Sequence, residues 1–171
     1  MGLRIFYSVP PFAPLTAHGN MSPPLVPLLA TRQLAVFTVF FGQLPPWLPL
    51  TLQSMAHNPG VTFIVIGDAA PPALLPPNVH FETVSYPAMQ ARLSRLLTPG
   101  NSSSVRYSFT YKANDIKPFA AHLYPELLGR HAWWAWADLD MLFGDLLKYL
   151  NLAFAKPACC KATAVGLGSE G

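Results

Sequence analysis

From Leu34 to Phe41 the chain reads Leu-Ala-Val-Phe-Thr-Val-Phe-Phe, and from Val61 to Ile66 it reads Val-Thr-Phe-Ile-Val-Ile. Continuous runs of β-branched and aromatic residues predict strands buried on both faces, as in a parallel sheet. Between them Leu48, Leu52 and Met55 recur at helical spacing and predict a helix over Pro46–His57, stopped by Asn58-Pro59-Gly60. Val79 to Val84 alternates and predicts a third strand. Ser85 is placed to cap a helix over Pro87–Leu97 with Met89, Leu93 and Leu96 on one face. Thr98-Pro99-Gly100 ends it, and the polar residues 101–104 make a loop. Asp115 is placed to cap a further helix whose stripe is Ile116, Phe119, Ala120, Leu123, Leu127 and Leu128, with Pro125 expected to kink or split it. Ala132–Ala137 predicts a tryptophan-rich strand and Leu142–Leu152 a short helix. Residues 1–32 show no usable periodicity and read as a flexible, proline-rich arm.

Strands alternating with helices in this order predict an α/β fold, Rossmann-like, with a mostly parallel sheet flanked by helices. In such sheets ligands bind beyond the carboxyl ends of the strands. Those ends are Gly42-Gln43, Gly67-Asp68 and Asp138-Leu139-Asp140.

Composition narrows the partners. Hydrophobic residues make up 51% of the 171 and charged residues 11%, which excludes an intrinsically disordered chain. The net charge is +3, but the cations are scattered from Arg4 to Lys161, without the basic stripe of a nucleic-acid binder. No charge lies between Arg32 and Asp68, yet the dense apolar run ends after eight residues, short of the roughly 20 that a spanning helix needs. Prolines at 10, 11, 14, 23, 24 and 27 argue against a signal peptide or anchor helix. Adjacent Cys159 and Cys160 make neither a disulfide framework nor a zinc site.

Two segments carry candidate chemistry. In Trp136-Ala-Asp-Leu-Asp140 the aspartates at i and i+2 on an extended chain point to one side, behind four strongly apolar residues. Their mutual repulsion becomes attraction around a hard divalent cation, Mn²⁺ or Mg²⁺, which in turn can hold a diphosphate. The plainer reading makes Asp140 a helix N-cap. In Tyr107-Ser-Phe-Thr-Tyr-Lys-Ala-Asn-Asp-Ile-Lys-Pro-Phe119, Asp115 suits a ribose or base and a lysine suits phosphate. The plainer reading is a capped amphipathic helix with Lys112 and Lys117 solvated. Trp133, Trp134 and Trp136 fit a packed strand better than a sugar-stacking surface.

Taken in order, the first strand with F-G-x-L-P, the helix, N-P, the strand ending in G-D, then Y-K-x-N-D-I-K-P and W-A-D-L-D-M-L-F-G-D-L resemble a family of uncharacterised glycosyltransferase-like proteins, similar to D-x-D sugar transferases of the GT-A fold. The resemblance covers Leu34 to about Leu152. It implies the N-terminal, donor-binding half of that fold over residues 33–155, with Asp138 and Asp140 as the metal and nucleotide-diphosphate motif. Asp115 would face the nucleoside, Phe41 and Gly42 would border the nucleotide, Asp68 would end the second strand, and Lys112 and Lys117 match family lysines. The implied donor is a UDP- or GDP-sugar, and the implied cofactor a divalent cation. Such enzymes draw their acceptor pocket from the region after D-x-D, where 31 residues remain here, so the acceptor half is expected to be truncated and residues 156–171 to be an unmatched tail. Rival readings are a haloacid-dehalogenase-like phosphatase with Asp138 as nucleophile, and a non-catalytic, incomplete fold. The sequons Asn20-Met-Ser22 and Asn101-Ser-Ser103 would suit the Golgi or endomembrane lumen in a eukaryote; a bacterial-like member would suit the cytoplasm.

Overall fold

The computed structural model describes residues 4–7, 34–99 and 106–154. The expectations for the arm beyond Tyr7, the two sequons and the tail with Cys159 and Cys160 fall outside these residues. Strands β1 (Arg4–Tyr7), β2 (Leu34–Val39), β3 (Val61–Gly67), β4 (Val79–Thr83) and β5 (Trp133–Trp136) form one sheet in the order β1-β5-β2-β3-β4. The four strands β5, β2, β3 and β4 are parallel, and β1 joins the edge antiparallel to β5, with Arg4 opposite Trp136. This is the α/β, Rossmann-like architecture that the apolar runs predict.

Helix α1 (Leu48–Ala56) covers one face of the sheet, and α2 (Tyr86–Leu97) covers the other. Alternation along the buried strands divides the core. Leu34, Val36, Phe63 and Val65 pack with α1 and α5 (Leu146–Phe154), whereas Ala35, Phe37, Ile64 and Ile66 pack with α2. Every residue of β2 and β3 is buried, which is why neither strand alternates in sequence. Ser85 caps α2 through Oγ, which accepts from the Ala88 amide at 3.3 Å. No helix among the described residues is long and apolar enough to cross a membrane.

Three expectations are corrected. Arg4–Tyr7 is a strand, its four residues too few to show a period. Asp115 caps no helix; it lies inside a 3₁₀ segment, Thr110–Phe119, with Pro118 near its end. The single stripe expected from Ile116 to Leu128 is spread over that segment, α3 (Ala120–Leu123) and α4 (Pro125–Leu128), divided at Pro125 as its missing N–H requires. Phe119, placed on the stripe, is exposed.

Tyr124, between α3 and α4, is buried against Phe37 with ring centroids 5.6 Å apart, and the Arg92 guanidinium lies 4.5 Å over its ring. Burial is the main reason its pKa is pushed up to about 12 from 10.0. The folded protein therefore keeps a phenol proton that the unfolded chain loses first. The associated stability is complete below about pH 10 and is lost as the pH rises toward 12. Tyr124→Phe is expected to flatten this part of alkaline unfolding. Urea midpoints of both proteins at about pH 9 and about pH 11 check it, and an equal fall in the two would refute it.

Candidate functional site

The chain leaves β2 toward β3 across the α1 face. It returns from β4 to β5, on the far side of β2, across the α2 face. Connections thus diverge between β2 and β5, and the crevice at such a reversal is where open parallel sheets bind ligands. The carboxyl ends that meet there carry Phe41-Gly42, Asp68 beside it, and Asp138-Leu139-Asp140.

Backbone pairing holds these ends in line. The Phe40 amide donates to Ile66 O at 2.8 Å, and the Ala137 amide donates to Phe37 O at 3.0 Å. The Gly42 amide then donates to Asp68 Oδ1 at 2.7 Å, joining the ends of β2 and β3. Gly42 has φ +110°, which disfavours any side chain, and the space where a β-carbon would stand is open. Phe41 is buried, edge-on to Tyr86 at 5.2 Å, and so supports the loop instead of facing solvent.

The loop after β5 is hooked to α1 and to the turn that follows it by a polar row beside the apolar stripe. Thr51 Oγ1 donates to Leu139 O at 3.0 Å, and the Phe143 amide donates to Ser54 Oγ at 3.1 Å. Asn58 donates through Nδ2 to Gly144 O at 2.9 Å and accepts from the Leu146 amide at 2.9 Å. Thr51 and Ser54 share one face of α1, and Asn58 follows just past the C-cap His57. Sequence reasoning took α1 for its apolar stripe and missed this row, although its spacing was there to read.

The two aspartates of D-x-D differ in their surroundings. Asp138 follows Trp134 and Trp136 on the α2 face, and its Oδ1 accepts from the Nζ of Lys117. The Lys117 side chain is 5% exposed and that of Asp138 24% exposed, so this is a largely desolvated ion pair. Asp140 is exposed and has no hydrogen bond or ion pair among the described residues. Lys112 and Asp115 pair with each other at 3.4 Å, both exposed, a contact of little energetic consequence. Lys117, expected to be solvated or on phosphate, is instead the innermost charge of the site. Burial, then the Asp115 carboxylate, raises the Tyr107 pKa above its usual 10.0.

Asp68, Asp138 and Asp140 against Lys117 leave the edge with a formal charge of −2. An anion enters such a site only with a cation. Among the described residues no three His, Cys, Asp or Glu side chains gather to hold a metal. Of the two aspartates, Asp140 is the one left open to a hard cation, whose further oxygen ligands would have to come from water or from a ligand. An apolar groove of about 530 Å³ lies elsewhere, between α1 and residues 72–76, and none of the candidate residues lines it.

No curated protein and no solved structure matches the chain. A family profile described as Family of unknown function (DUF6625) matches residues 36–158, a span that holds the four parallel strands but for the first two residues of β2 and every candidate residue above, and the chain belongs to that family.

Proposed function

We propose that this chain is a glycosyltransferase-like domain that binds a nucleoside-diphosphate sugar, UDP- or GDP-linked, at the carboxyl edge of its sheet. The observation that carries the reading is the pair of aspartates at the strand reversal, one locked by Lys117 and one open to solvent. Asp140 would share a Mn²⁺ or Mg²⁺ ion with the diphosphate, and when bound that ion supplies neutralisation of the diphosphate leaving group. Gly42 leaves room for close approach of the ligand, and Asp68 holds the Gly42 loop in place. Asp115, exposed on the 3₁₀ segment, is available to a ribose hydroxyl once it exchanges Lys112 for the ligand.

The reading predicts that UDP or GDP binds the purified chain in the presence of Mn²⁺ and that omission of the metal abolishes the titration. Asp140→Asn, at an exposed position with no partner to lose among the described residues, should weaken binding by roughly 10- to 100-fold while leaving the circular dichroism spectrum unchanged. Calorimetric titration checks both statements. A folded wild-type chain that takes up neither nucleotide with Mn²⁺ or Mg²⁺ refutes the reading.

A further inference from the structure

Lys117 stands where a metal would be expected. Its ammonium lies against Asp138 Oδ1, its side chain is almost fully buried, and its neighbours Ile116 and Ala120 belong to the core packed under α2. The lysine is therefore built into the fold and is not a mobile surface cation resting on a convenient carboxylate. We infer that the Lys117 ammonium is the resident counter-charge of Asp138, so that the two aspartates of D-x-D form no metal site by themselves and take a divalent cation only together with a phosphate ligand, through Asp140. The inference rests on the reading above for the identity of the ligand, and concerns how the two aspartates divide their work.

The physical reason is charge. A divalent ion bridging both aspartates would have to sit beside a fixed ammonium held in place by the core, and like charges at contact distance in a poorly solvated place repel strongly. Lysine already satisfies Asp138 with a charge-assisted hydrogen bond. Asp140 alone offers one carboxylate, too few oxygen ligands to strip a divalent ion of its water. Lys117 is on this account a positioning residue: it fixes the Asp138 carboxylate and excludes the metal from it.

The test is Mn²⁺ binding without nucleotide, followed by the loss of the free-ion signal in electron paramagnetic resonance. Wild type should bind Mn²⁺ more weakly than about 1 mM. Lys117→Met frees Asp138 to join Asp140 and should tighten Mn²⁺ binding about tenfold or more; Lys117→Gln serves if the methionine variant is not folded by circular dichroism. Lys117→Arg, which keeps the charge, should bind as weakly as wild type, and Lys117→Met/Asp138→Asn should lose the gain. Micromolar Mn²⁺ binding by wild type that Asp138→Asn abolishes would overturn the inference, as would folded Lys117 variants that gain nothing. Because nucleotide is absent, these outcomes stand apart from the UDP and GDP titrations that decide the reading itself.

Discussion

Asp138→Asn is expected to destabilise the fold by about 3 kcal/mol, although the residue lies in a candidate ligand site and is itself partly exposed. The cost falls on its partner. Lys117 has a side chain 5% exposed, and without the carboxylate its ammonium must stay buried unpaired or drag solvent into the core. Breaking a buried pair from one side costs about 3–5 kcal/mol, and the 24% exposure of Asp138 puts this one at the lower end. Lys117→Met should cost only about 1 kcal/mol, because methionine keeps the apolar stem and water still reaches Asp138. The double variant should be less destabilised than the sum of the singles, by about 1–2 kcal/mol. Urea unfolding of the four proteins measures the cycle. Equal single costs, or strict additivity, would show that the pair is not desolvated as described. Any loss of ligand binding in Asp138→Asn must accordingly be read beside its stability.

Gly67→Ala should cost still more, about 3–4 kcal/mol, with a fall in Tm of roughly 10 °C. A β-carbon at residue 67 would collide with the carbonyl oxygen of Phe40, which is backbone and cannot rotate away. The ends of β2 and β3 would have to part where the Phe40 amide reaches Ile66 and, two residues further on, the Gly42 amide reaches Asp68. Overpacking and strained hydrogen bonds add together here. Gly42→Ala is the informative control: the space around it is open, so only the strain of its positive φ is incurred, about 1–2 kcal/mol. Thermal unfolding that ranks Gly42→Ala as the costlier change would reject the collision at Gly67.

Much of the frame was legible in the residue pattern. Unbroken apolar runs at 34–41 and 61–66 specify strands covered on both sides, and Ser85, Asn58-Pro59-Gly60 and Pro125 punctuate the chain by local chemistry that tertiary contacts do not override. The carboxyl-end residues were legible for the same reason, since topology alone puts strand ends at the crevice. What escaped was pairing. A stripe from Ile116 to Leu128 fits one helix on paper, but 3.6-residue periodicity does not separate a helix from shorter turns in tandem. Nothing in Asp-Ile-Lys-Pro tells a reader that its lysine turns inward, because the decision is made by a carboxylate 21 residues further along. Arg4–Tyr7 is a strand only because β5 offers it an edge.

The loop from Leu139 to Asp145, which carries Asp140, has neither helix nor ladder of its own. Its order is borrowed from Thr51 and Ser54 on α1 and from Asn58 just past the end of that helix. Opening of that helix and loosening of the loop are therefore one cooperative event, not two independent fluctuations, and the time the Asp140 carboxylate spends at the carboxyl edge of the sheet is set by how rarely α1 lifts from it.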